Sequence, residues 1–168
     1  IGPSVLATNA TRTLPEYFET LEWIPRASVQ TLASAMDVGD PSNMERLRTI
    51  IGEADVLRDC LGVVSVDDEA IRAGIRQDFA EFGFATCPHT ATATHTWRRL
   101  QPGLRAAHDW ILVATAHPAK FETIVEPLIG ETVPLPEELA EILSRPSRAV
   151  SIDPDLEAVA AAMEQHFH

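Results

Sequence analysis

Residues 109–116 read DWILVATA, a continuous apolar run that begins after a polar stretch and ends just before HPAK. Successive side chains of a strand point to opposite faces, so an unbroken apolar run predicts a strand covered on both sides. The segment after it, PAKFETIVEPLIG at 118–130, opens on a proline and predicts a helix that Pro127 ends or kinks. A second strand is predicted at 3–8, PSVLAT, closed by the turn-forming TNAT at 8–11 and succeeded by a helix over LPEYFETLEW at 14–23. Strand, loop and helices, then loop, strand and helix again, is an α/β order.

Between these two ends the pattern is mostly helical. RASVQTLASA at 26–35 predicts a short helix, and MDVGDPSN at 36–43 a loop that turns the chain or presents groups to a ligand. In NMERLRTIIGE, Met44, Leu47, Ile50 and Ile51 recur at helical spacing, as do Ile71, Ile75, Phe79 and Phe82 in DDEAIRAGIRQDFAEFG. Asp67, Asp68 and Glu69 mark the start of that second helix and Gly83 its end. FATCPHTATATHTWRRL leads into a helix ending in two arginines, and LPEELAEILS and DPDLEAVAAAMEQHF predict two more. The pattern divides the chain into three regions: 1–40, strand plus helices; 41–85, a helical insertion or lid; and 86–168, the remaining core with the C-terminal helices.

A chain of 168 residues that is 45% hydrophobic can fill one domain-sized core. Its formal charge of −12 argues against nucleic acid or an anionic membrane as partner. Apolar runs fall far short of the ~20 residues that cross a bilayer. Cys60 and Cys87, with no CxxC spacing, read as small buried apolar residues in a reducing, cytoplasmic setting. The chain opens at Ile1 on a strand-like run with no earlier neighbour. This is expected of a piece of something longer, whose bare sheet edges favour self-association.

Lys120 is the only lysine. At the end of a buried strand it could form an imine with a carbonyl cofactor, burial lowering its pKa. In the alternative it is an exposed first-turn residue near Glu122 or Glu126. His89 and Thr90, in CPHTAT, sit at a loop-to-helix junction, where they either cap the helix or bind a ligand. A hydroxyl there could also hydrogen-bond a heterocyclic nitrogen without protonating it. The histidines have no metal-ligand spacing outside the terminal HFH, and GxSxG, P-loop and GxGxxG motifs are absent.

ATNAT, SAMDVGDPSNMERL, CPHTATA and TAHPAKFETIVEPLIGE, in this order and with VPLPEELAEIL after them, resemble the C-terminal half of threonine synthase. The resemblance implies part of the open-sheet domain of a fold type II enzyme, tryptophan synthase β-like, that binds pyridoxal 5′-phosphate and makes threonine from O-phosphohomoserine. In that family the Schiff-base lysine and the glycine-rich phosphate loop lie in the N-terminal half, and neither motif occurs here. Lys120 would therefore not be the imine-forming residue, and the chain alone would be inactive. By the same resemblance, Thr90 would hydrogen-bond the pyridine nitrogen and Asn9 would lie at the cofactor. Thr11, Asp37 and Asn43 would sit nearby, and His117 and Lys120 would support the pocket or the substrate phosphate. Cys87 stands where the family often has aspartate. Two other readings are a non-catalytic α/β binding or regulatory module descended from such an enzyme, and another lyase of the same fold type, such as a dehydratase. HPAKF and AMDV favour threonine synthase over the last.

Overall fold

A computed structural model describes residues 2–147 and 149–166. They divide into two units, Ile1–Pro134 and Leu135–His168. The first holds a parallel pair of strands, β1 (Ser4–Thr8) and β2 (Leu61–Ser65), in register from Ser4 opposite Leu61 to Thr8 opposite Ser65. The pairing is prolonged by side chains and backbone beyond the ladder. Val66 N–H donates to the Thr8 carbonyl at 2.8 Å, and Ser65 Oγ to the Asn9 carbonyl at 2.9 Å.

Parallel strands need a long crossover, and here it carries α1 (Thr13–Thr20), a 3-10 turn at Ser34–Met36, α2 (Met44–Ile50) and α3 (Ala54–Cys60). α1 and α3 pack under the strand pair through a cluster of Tyr17, Phe18, Met44 and Leu57, bordered by Trp23, Leu47 and Val63. The region 41–85 is therefore not helical throughout, because it contributes β2. The signal was the β-branched LGVVSV run, which ends where Asp67 begins the next helix.

α4 (Asp68–Phe82) and α5 (Pro88–Arg99) form the second packed element. α4 begins as its sequence predicts, Asp67 accepting the Ala70 N–H at 2.8 Å, and ends at Gly83 with φ of 75°, a left-handed value that glycine adopts without strain. Ile71 and Ile75 are fully buried. At Gly74 a Cβ would lie 3.3 Å from the Ala91 carbonyl oxygen, so glycine lets the two helices approach closely. The interface also carries a polar cluster around Asp78, which is fully buried. Asp78 Oδ2 accepts from Thr86 Oγ1 at 2.6 Å and Thr94 Oγ1 at 2.8 Å, while Oδ1 lies 2.7 Å from the Arg98 guanidinium. Arg98 reaches on to Glu81 and lies over the Phe82 ring.

Two expected elements are replaced by irregular chain. Residues 26–33 form no helix, because their backbone groups bond elsewhere. Thr31 N–H donates to Asp37, Leu32 N–H to Asp68, and Arg26 N–H to the Gly39 carbonyl. The run 109–115 is not a strand either, and it is open to solvent: Ile111 is 89% and Val113 68% exposed. A strand exists only by hydrogen bonding to a neighbour, and among the described residues β1 pairs with β2 alone. After α6 (Pro102–Ala106) and this run come a 3-10 turn at Pro118–Phe121 and α7 (Glu122–Ile129). α7 includes Pro127 and stops at Gly130, φ 75°.

The second unit consists of α8 (Glu137–Ser144) and α9 (Leu156–His166). Ile142, Leu143, Leu156 and Met163 are all exposed there. Among the described residues, no helix is long and apolar enough to cross a membrane.

Candidate functional site

A cleft of about 1190 Å³ opens in the first unit between β1, the loop after the 3-10 turn, the cleft-facing side of α5 and the run 109–115. Asn9, Thr11, Asn43, His89, Ala93 and Trp97 are among the residues that line it.

Asn9 comes directly after β1 and is 1% exposed. Its two amide hydrogens are shared among three acceptors: Thr31 Oγ1 at 2.9 Å, the Ala33 carbonyl at 3.3 Å and Asp37 Oδ1 at 2.6 Å. Its Oδ1 accepts the Thr11 N–H at 3.0 Å. Asp37 in turn accepts Thr31 Oγ1 at 2.6 Å and the Thr31 N–H at 3.0 Å, closing the segment 31–37 into a ring. Asn9, Thr11 and Asp37 are thus brought together, and their polar atoms are spent on holding the loop that borders the cleft. Asn43 lies exposed on the rim, as the N-terminal flanking residue of α2, and makes no side-chain cap.

The same loop is gripped from the other side by α5. The backbone N–H of Ala35 donates to His89 Nε2 at 3.0 Å, and the His89 ring packs on Phe121 with centroids 5.0 Å apart. Burial lowers the His89 pKa from its ordinary value, with the Asp37 carboxylate pulling weakly the other way. The ring is neutral at pH 7, and because Nε2 accepts, its hydrogen is on Nδ1.

Cys87 is the N-cap of α5: its Sγ accepts the Thr90 N–H at 3.4 Å and lies 3.3 Å from Thr90 Oγ1. Cys87 is buried as expected, whereas Cys60 is exposed at the end of α3. Thr90, 8% exposed, differs from the other threonines of this helix. Thr92 and Thr96 donate to backbone carbonyls one turn earlier and Thr94 to Asp78 and Ala91, whereas Thr90 Oγ1 meets only Cys87 among the described residues.

Lys120 and His117 lie on the turn at 117–121 and are exposed. His117 Nδ1 accepts the Ala119 N–H at 3.2 Å, so it caps this turn, and Lys120 has none of the burial that frees an amine as nucleophile. Among the described residues, no group of three or more His, Cys, Asp or Glu could hold a metal ion. Sequence reasoning did not find Asp78 or the tie between Ala35 and His89. The TAT repetition around Thr92 and Thr94 was the available signal for buried hydroxyls.

Residues 90–163 match the family model described as "Threonine synthase, C-terminal". Threonine synthase of Escherichia coli (strain K12) is 35% identical over 162 residues, covering 96% of this chain and 37% of that protein. The Serratia marcescens threonine synthase is 37% identical over 136 residues, covering 81% of this chain and 31% of that one. The chain thus spans about a third of the length of these relatives. The solved structure of the Escherichia coli threonine synthase superposes with a TM-score of 0.85 at 34% identity, over 99% of this chain and 38% of that one. The PLP-bound structure of a threonine synthase from Brucella melitensis has the same fold, with a TM-score of 0.81 at 22% identity over 99% of this chain and 40% of that one.

Proposed function

We propose, since the chain belongs to the threonine synthase family as the counterpart of its C-terminal portion, that it forms one wall of the active site of a pyridoxal-phosphate-dependent threonine synthase. The reaction is conversion of O-phospho-L-homoserine and water to L-threonine and phosphate by β,γ-elimination and replacement. When bound, pyridoxal phosphate supplies an electron-withdrawing ring that takes up negative charge developed on the substrate.

The observation that carries this reading is Thr90, a buried hydroxyl at the start of a helix whose one partner among the described residues is the Cys87 sulfur. A neutral donor of that kind suits a pyridine nitrogen, which it can hold without protonating. His89 and the ring of Asn9, Thr31 and Asp37 fix the loop 31–37 beside it, so Asn9 acts by shaping the pocket. Thr11 buttresses Asn9, and Asn43 on the rim is free to meet substrate. Lys120 and His117 stand as polar support for the phosphate-bearing end of the substrate. An anion needs no net positive protein to be bound, because helix N-termini offer unpaired N–H groups.

The imine-forming lysine is then supplied by another portion of the enzyme, with Lys120 exposed and poorly suited to the task. The cleft supports this division of labour. At about 1190 Å³ it is above the usual ~300–1,000 Å³ of a small-molecule site, and one wall is the unpaired run 109–115. It fits a sheet neighbour as well as a ligand. We also assign the enzyme to the cytoplasm, on its unpaired cysteines.

Two measurements test the reading. Borohydride treatment of this chain mixed with pyridoxal phosphate fixes no pyridoxyl group specifically on Lys120, and a specific adduct there would overturn the division. In the complete enzyme, Thr90→Ala lowers kcat severalfold with cofactor affinity changed little, since one neutral hydrogen bond is worth ~1 kcal/mol. Unchanged kcat would return Thr90 to the role of a helix-start residue.

A further inference from the structure

The hydrogens around the start of α5 can be followed from donor to acceptor. Ala35 N–H donates to His89 Nε2 at 3.0 Å, which leaves the hydrogen of the neutral ring on Nδ1. Nδ1 faces Cys87 Sγ at 4.0 Å, the outer limit of a hydrogen bond to sulfur. The same sulfur accepts the Thr90 N–H at 3.4 Å. With two N–H groups directed at the sulfur, its own hydrogen has one oxygen to reach, Thr90 Oγ1 at 3.3 Å. The hydroxyl oxygen is then an acceptor toward Cys87, and its hydrogen points away. The reverse orientation, Thr90 donating to sulfur, would direct three hydrogens at one weak acceptor and leave the S–H without a partner.

We infer that Cys87 is a positioning residue: its thiol donates to Thr90 Oγ1 and so turns the Thr90 hydroxyl into an obligatory donor toward the group it holds. This rests on the reading of Thr90 as the partner of the cofactor's pyridine nitrogen. Its consequence is that the nitrogen is fixed as an acceptor, hence unprotonated, by a chain of hydrogens that starts at the Ala35 backbone. Burial of His89, which keeps its ring neutral, supports the same direction.

The test uses the complete enzyme loaded with pyridoxal phosphate enriched in 15N at the ring nitrogen, with kcat measured alongside the 15N signal. Thr90→Val shifts the signal toward that of a pyridine without a hydrogen bond. Cys87→Ala shifts it part of the way in the same direction and lowers kcat about fivefold with KM unchanged, the effect of one neutral hydrogen bond. Cys87→Ser, which keeps both cap and donor, restores both readouts. In the Thr90→Val background Cys87→Ala has no further effect on either. If Cys87→Ala proves too unstable to load, Cys87→Gly removes the thiol while keeping a residue favoured at a helix start, and it produces the same partial shift.

An equal loss of kcat from Cys87→Ala with and without the Thr90 hydroxyl would make Cys87 a helix cap only and overturn the inference. So would a 15N signal that moves in Thr90→Val but not in Cys87→Ala or Cys87→Gly, which leaves the Thr90 reading standing. A signal unmoved by Thr90→Val removes the reading and the inference together.

Discussion

The α4–α5 pair is rich in polar residues and the run 109–115 is mostly apolar, yet it is the helix pair that buries its interface and the run that lies open. In the helix pair each element brings its own hydrogen bonds and needs a neighbour only for its side chains. Ile71 and Ile75 find one in the facing helix, and Asp78 finds two threonine hydroxyls for one oxygen and the Arg98 guanidinium as ion-pair partner for the other. The run 109–115 needs another segment's backbone before it becomes a strand, and Ile111 and Val113 remain in water without it. Apolar residues thus report that a segment is to be covered, but helices can be completed locally while strands depend on what lies beside them.

The largest effect separating the two regions is expected at Asp78. Asp78→Ala leaves the Thr86 hydroxyl without its acceptor and Arg98 with Glu81 as its remaining carboxylate, and removing one partner of a buried pair costs about 3–5 kcal/mol. Urea unfolding of the chain measures it, and a loss under about 1 kcal/mol would mean the cluster is wet and the helix pair less independent of its surroundings. A smaller effect is expected from acid. The folded pKa values of His89 and His95 are both lowered, chiefly by burial, so the unfolded chain binds protons more readily than the folded one. Stability is therefore full above the unfolded value of 6.5 and declines as pH falls through it toward the folded values. Replacing His89 by Gln flattens that decline, measured as melting temperature against pH, and an unchanged slope would relocate its cause. The smallest effect is expected in the bare run. Ile111→Thr leaves the stability of this chain within about 0.5 kcal/mol, as at other exposed positions, while weakening any assembly that covers 109–115. A marked loss in the chain itself would show that the run is already packed.

Helices were the legible part of this sequence. α4 starts at Asp67 and stops at Gly83 because cap chemistry is local, and α1, α2, α8 and α9 arise from proline placement and apolar spacing in the same way. β2 was passed over because Leu61–Ser65 sits between helices and spans only five residues. The segment 26–33 deceived for the opposite reason: its composition suits a helix, but Asp37, Asp68 and Gly39, distant or polar in sequence, take up its N–H groups. The candidate residues Thr90, Asn9, Asp37 and Thr11 could be named from motifs, and of these Asn9 and Thr11 line the cleft. The routing of hydrogens from Ala35 through His89 could not, since it depends on two segments meeting across the cleft.

The parallel pair has a further consequence for how the molecule comes to be. Residue 4 must find residue 61, with α1, α2 and α3 lying between them, so closing this ladder costs chain entropy that only a preassembled helical layer can offset. Residues 74 and 91, by contrast, meet across one short connection. Contacts of short span form early. When the unfolded chain is released to refold, the helical hairpin is therefore set to condense ahead of the strand pair.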